Sequence, residues 1–256
     1  MPVQSCLKRK LQQAVFCLLT SFVMISASAG SAFAGDDAKL EIFGFSKHGD
    51  FFAFEQYGFQ DGSGYPYTDI FVIDVLGDSW VKPSPFRRID EMEYLEGTDE
   101  YAYLTESRAR NFGAAEKLLE LKGIAGMGQT VAFNPRTELG SNPHKMVAAP
   151  RLPLLSGETS VDLTLSEFPL QNAQCTAYDV KSKGFRLTMV NNGVTRTLNH
   201  DTTLPNSRVC PTAYRIERFF TYYPEKAPPV FAVLIQMESL GFEGPDRRYL
   251  AIAGRL

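Results

Sequence analysis

The sequence predicts a mainly β fold that carries one amphipathic helix. Apolar residues recur at every second position through most of the chain, the period of strands with one buried face. An Asn-Gly pair, Asn192-Gly193, separates two such runs, and both turn positions of a tight hairpin favour positive φ. One segment, about Thr98 to Lys122, departs from period two toward helical spacing.

Residues 1–34 are expected to be an export signal. Lys8, Arg9 and Lys10 form a positive start, Ala14 to Ile25 a short apolar core, and Ala32-Phe33-Ala34 a small-residue cleavage signature before Gly35. Ala27-Ser28-Ala29 offers an earlier cut. The core is too short for a spanning helix, which needs about 20 apolar residues. No later run approaches that length, the longest being Val230 to Ile235. The expectation is a single secreted β-rich domain over 35–256, periplasmic or secreted, with no membrane span after cleavage. Its 222 of the 256 residues suffice for one core.

Loss of the three basic residues leaves 23 Lys and Arg against 29 Asp and Glu, a net charge of −6. Basic residues are scattered among acids, so no nucleic-acid footprint is present. Cys6 and Cys17 leave with the signal. Cys175 and Cys210 remain in an oxidising compartment without C-x-x-C spacing, and a structural disulfide between them is expected.

Along the mature chain, Val161, Leu163 and Leu165 alternate with Asp162 and Thr164, and Phe185, Leu187 and Met189 with Arg186 and Thr188. Asn192-Gly193 joins the second of these strands to Val194–Leu198 as a hairpin. Val230-Phe-Ala-Val-Leu-Ile235 is apolar on both faces, as a central strand must be. In the helix, Ala102, Ala109, Phe112, Ala115, Leu118 and Leu119 are expected to face the core and Gly123 to stop it. Glu106, Arg108, Arg110, Glu116 and Lys117 are expected on its solvated face.

Leu40-Glu-Ile-Phe-Gly-Phe-Ser-Lys-His-Gly-Asp-Phe-Phe-Ala-Phe54 resembles the opening of a blade from a Tol-B-like β-propeller, with Ile70–Val75 as its next strand and His48 in place of the turn Asp. Gly244-Pro-Asp-Arg-Arg-Tyr-Leu-Ala251 is similar to the same turn, with Arg247 where Gly is usual. These copies imply a small or irregular β-propeller-like fold, with a β-sandwich as the alternative. Phe45-Ser46, Asp61-Gly-Ser-Gly64 followed by Ile70 to Asp74, and Gly241-Phe-Glu-Gly-Pro-Asp-Arg-Arg248 resemble a bacterial family of predicted secreted proteins built on a domain of unknown function. That resemblance implies export and a shared fold, and brings no catalytic residues with it.

Gly123-Ile-Ala-Gly-Met-Gly128-Gln129-Thr130 mimics a phosphate loop but puts Gln129 where the lysine charge is needed, after a helix rather than a strand. It is expected to be a flexible helix-to-strand connector. Ser63 lies directly between Gly62 and Gly64, so no nucleophile elbow exists. His48, His144 and His200 have no recognisable triad partner and no metal-ligand spacing. Asp36-Asp37, Asp99-Glu100 and Glu243 with Asp246 are expected in solvated turns, and Asp61-Gly-Ser-Gly64 as a glycine turn lacking the full calcium pattern. No catalytic residue, metal site or cofactor is expected.

The segment Glu55–Asp69 is ranked first for function. Tyr57, Phe59, Tyr65 and Tyr67 are interleaved there with Asp61, Ser63 and glycines, and tyrosine in a Gly/Ser loop offers broad contact area with a polar tip. Tyr57, Phe59, Asp61, Ser63, Tyr65 and Tyr67 are the expected ligand or partner contacts; the alternative is that the aromatics fold over the sheet edge. Gly241–Arg248 comes second, with Glu243, Asp246, Arg247 and Arg248 able either to hold a charged group or to close a tight turn. The functional expectation is a non-enzymatic binding or scaffold protein for an unknown protein or small ligand. The alternative is a hydrolase acting on an envelope or extracellular substrate.

Overall fold

Strand β1 (Lys39–Ser46) returns through a tight turn as β2 (Phe51–Phe59), which pairs in turn with β3 (Pro66–Asp74). The computed structural model describes residues 35–256 other than 92, 94–96, 98 and 243. The expected export signal, Thr98 and Glu243 therefore lie outside the described residues. Short strands β4 (Ser79–Trp80) and β5 (Phe86–Ile89) both pair with β3, and β6 (Ile124–Met127) pairs with β1, completing a first sheet of six strands. A central sheet follows the order β14-β13-β12-β7, from β7 (Gln129–Phe133), β12 (Pro211–Tyr222), β13 (Val230–Leu240) and β14 (Pro245–Arg255). A third sheet contains β8 (Lys145–Ala148), β9 (Val161–Pro169), β10 (Lys183–Asn191) and β11 (Val194–His200) in the order β11-β10-β9-β8.

Side-chain alternation stacks these sheets. Leu163, Phe185 and Leu187 of the third sheet pack on Ile216, Phe219 and Val233 of the central one. Phe220, Ala232 and Leu234 leave the opposite face of the central sheet and meet Phe45, Phe52 and Phe71 of the first. Helix α1 (Glu100–Leu121) covers the far side of the first sheet, setting Ala115, Leu118 and Leu119 against Ala53, Ile70 and Val72. The layers thus run helix, first sheet, central sheet, third sheet, an antiparallel β-sandwich with an added sheet and helix. β13 is enclosed on both faces, which is why its apolar run is unbroken.

Several local features follow from the residues named above. Asn191 pairs with Val194, leaving Asn192 (φ 50°) and Gly193 (φ 75°) as a two-residue turn. Cys175, in the short helix α2 (Ala173–Ala177), is bonded to Cys210 at the head of β12, with Cα atoms 5.4 Å apart. Asp99 is the cap of α1, accepting from the Ala102 N–H at 3.1 Å.

The structure corrects several expectations. Ala102, Ala109 and Phe112 are exposed, and the buried stripe of α1 runs instead through Leu104, Ser107, Asn111, Ala115, Leu118 and Leu119. The sheet beneath the helix is polar at that end, so Asn111 Nδ2 donates to the Thr68 and Phe86 carbonyls at 3.1 and 3.0 Å. The connector 123–130 is no loop: it is β6 and β7, two strands in different sheets, hinged at Gly128. There φ is 101°, and a Cβ would come within 2.7 Å of the Phe220 ring and 2.9 Å of the Thr221 carbonyl oxygen, so only glycine can make the crossing. The second blade-like segment, 244–251, is a strand from Pro245 onward, with Arg247 opposite Glu238 in the ladder rather than in a turn.

Candidate binding cleft

β14 is an edge strand, and a cleft of about 860 Å³ lies along it. One wall comes from β3, β4 and β5 of the first sheet, the other from Asn199 and the loop carrying Pro205, Ser207, Arg208 and Val209. On the first wall Tyr67, Asp69, Phe71 and Ile73 alternate inward along β3. Trp80 lies opposite Ile73 and Arg87 opposite Asp69, which places both on the same face. The Arg87 guanidinium is 5.8 Å from the centre of the Trp80 ring. Trp80, Ile89 and Val209 remain 45, 55 and 57% exposed around the opening, a concentration of apolar surface that the core does not use.

The floor of the cleft at its β2–β3 end is polar and tightly bonded. Tyr67, 3% exposed, donates its hydroxyl to Asp36 Oδ1 at 2.9 Å, and Arg248 pairs with the other oxygen of Asp36 while lying 4.2 Å over the Tyr67 ring. Burial pushes the Tyr67 phenol far above its ordinary range, so it stays a donor. Asp69 Oδ2 accepts from Gln56 Nε2 at 2.9 Å, and burial pushes its carboxyl up as well. Asp36, expected in a solvated turn, is instead 6% exposed, and its own N–H donates to Asp246 Oδ1 at 3.3 Å.

The two segments singled out in the sequence meet at this end. Arg248 on Tyr67 is one contact between them, and the Phe242 ring resting on Gly62 is another. The aromatics of 55–69 do not share one rim, however, because most of them lie in strands that alternate faces. Tyr57 points to the helix side under Arg108, and Phe59 packs edge-on to Tyr101 at 5.9 Å. Tyr67 points into the cleft wall. Asp61, Ser63 and Tyr65 stay in the β2–β3 loop, where Ser63 Oγ donates to Gln60 at 3.2 Å and accepts from the Tyr65 N–H at 3.3 Å.

The histidines lie apart. His144 Nε2 is 3.5 Å from Glu167 Oε1, a carboxylate already accepting from the Tyr214 N–H at 2.6 Å and from Lys183. His200 packs edge-on to Phe168. Neither borders the cleft. Among the described residues, no group of three or more His, Cys, Asp or Glu is placed to hold a metal ion, and no helix is long and apolar enough to cross a membrane.

A family model of predicted secreted proteins, DUF2259, matches residues 53–255, from β2 to the end of β14. The chain belongs to that family. The match includes every residue lining the cleft, from Phe54 to Ile252, so the cleft lies within the DUF2259 domain itself. Neither a curated protein nor a solved structure matches the chain. The family's description as secreted agrees with the expected export signal and with the Cys175–Cys210 bond.

Sequence reasoning missed Asp69, Trp80, Arg87 and Val209. Trp80 offered a signal, as the sole tryptophan of the sequence and in a short segment between turn residues. Val209 offered none, because its place depends on the disulfide that holds the neighbouring Cys210.

Proposed function

We propose that this secreted protein is a non-enzymatic binding protein, periplasmic or extracellular, which takes its ligand in the cleft beside β14. The observation that carries this reading is the apolar opening of Trp80, Ile89 and Val209 over a polar floor whose groups are already bonded to one another. Convergent apolar walls with a few fixed polar groups are what ligand sites offer. Tyr67, Asp36 and Arg248 act here as a rigid base that shapes the cleft, while Asp61, Ser63 and Tyr65 flank its end in the β2–β3 loop.

The single tryptophan supplies the test. Peptides, glycans and envelope fragments are titrated against the protein while Trp80 fluorescence is followed, with a parallel thermal-shift screen. A saturable fluorescence change matching the rise in Tm, with that rise in Tm lost in Trp80→Ala, is the expected result. A ligand that raises Tm without moving Trp80 emission would place binding elsewhere and overturn the reading.

A further inference from the structure

We infer that the cleft is the slot of one more strand on the central sheet, and that its occupant is an extended peptide segment of another protein. This rests on the binding reading above and names the class of ligand. β14 bonds to β13 through its even-numbered residues, a series that ends with the Leu256 N–H donating to the Pro229 carbonyl. Its odd-numbered residues therefore turn their N–H and C=O groups outward. Arg247 N–H donates to the Asp36 carbonyl at 2.7 Å, Tyr249 N–H to Gln56 Oε1 at 2.6 Å, and Ala253 N–H to Asp78 Oδ1 at 2.8 Å. Ala251 lies midway in this series and lines the cleft, and among the described residues no loop or side chain bonds its N–H or C=O.

The same edge already accepts a short extended segment through one isolated bridge. Asp37 bridges Arg247 in parallel, with the Ala38 N–H donating to the Arg247 carbonyl at 3.1 Å. Beyond that bridge the edge continues through Ala251 to Ala253, about 20 Å of strand from Arg247. Along it the outward N–H groups of Arg247, Tyr249 and Ala253 are already donated, so among the described residues Ala251 alone offers both a donor and an acceptor, the pair that one residue of an extended backbone matches. The walls stand on both faces of the slot, Phe71, Ile73 and Trp80 on one side and Pro205 and Val209 on the other. A lone strand fits between them with its side chains alternating from wall to wall. The sheet edge of a second copy, carrying its own neighbours, is kept out by the same walls. Gln56 and Asp78 occupy the flanking donors and so set the register, since a peptide residue can exchange both bonds only with Ala251.

The test uses the exported protein and a pool of acetylated, amidated heptapeptides with apolar residues at alternate positions. Hydrogen exchange of the Ala251 amide is expected to slow at least about tenfold at saturation. The same pool N-methylated at alternate residues is expected to lose the effect. Ala251→Pro, which removes an outward N–H on an edge strand where proline is tolerated, is expected to weaken binding by about tenfold or more. Should that variant fail to fold, the N-methylated pool decides alone. If glycans or small molecules move Trp80 and the cleft amides while the peptide pool leaves Ala251 exchange unchanged, the peptide assignment falls and the binding cleft stands. If no probe affects either, both fall. Equal binding of the N-methylated pool overturns strand addition specifically.

Discussion

Arg108 and Glu55 are joined by two hydrogen bonds, Nε to Oε1 at 3.0 Å and Nη2 to Oε2 at 2.7 Å, and this fork fastens the helix to the first sheet. Glu55 is buried, accepts also from Thr68 Oγ1 at 2.8 Å, and the Arg108 guanidinium lies 3.6 Å over the Tyr57 ring. Arg108, expected on a solvated face, is thus the partner of a buried carboxylate.

Removing Arg108 strands that carboxylate. Arg108→Ala is expected to lower unfolding free energy by about 3 kcal/mol, whereas Glu55→Gln with Arg108→Met is expected to lose less than the single change. Guanidinium unfolding of the three proteins measures both. A single-mutant loss under about 1 kcal/mol means that the fork contributes no more than a surface pair.

Tyr65 and Tyr67 are close in sequence and have opposite roles. Tyr67→Ala empties a buried ring site and is expected to cost about 3 kcal/mol, and Tyr67→Phe about 1 to 2 kcal/mol by leaving Asp36 short of a donor. Tyr65→Ala is expected within about 1 kcal/mol of the parent. Comparable thermal losses for Tyr65→Ala and Tyr67→Ala would contradict their placement.

Glu217 is 6% exposed, and among the described residues its Oε2 has no hydrogen-bond partner. Burial pushes its carboxyl up, against the weaker pull of Arg218. As pH rises through the ordinary carboxylate range, the unfolded chain therefore releases this proton before the folded one, and stability falls until the raised folded value is passed. Glu217→Gln is expected to add on the order of 1 kcal/mol near pH 7 and nothing near pH 3. Unfolding free energies of both proteins across that range test the sign; an equal or lower value for the variant at pH 7 refutes it.

The Cys175–Cys210 bond closes a separation of 35 residues. Cys175→Ser with Cys210→Ser is expected to cost about 3 to 4 kcal/mol and to lower Tm by on the order of 10 °C. Because Val209 adjoins Cys210 on the cleft wall, the same variant is also expected to weaken any ligand followed through Trp80. Unchanged affinity would show that the wall holds its shape without the bond.

Period-two patterning made the strands at 161–165 and 185–190 legible, because burial on one face writes itself locally into the sequence; Asn192-Gly193 marked the hairpin from the second of them to 194–198, and an unbroken apolar run marked the enclosed strand at 230–235. The helix was legible as an element but not in its orientation. Its buried face is set by Glu55, Thr68 and Phe86 beneath it, and polar contacts of that kind leave no apolar period. The site was legible only as two segments, 55–69 and 241–248, and not as a place. Asp36 meets Tyr67 and Arg248 across separations of 31 and 212 residues, which no local pattern encodes.

The sequence by itself determined the address, the β class, the one long helix and the disulfide pair, since each depends on residue type and short-range spacing. The tertiary structure decided which sheet each strand joined, as at Gly128, where the chain crosses between sheets. It also decided that the aromatics of 55–69 part to opposite faces, and that one edge of the central sheet is left beside a cleft. Those outcomes depend on sheet order and on how far one layer extends past another, quantities set by the packing of distant surfaces and absent from any window of the chain.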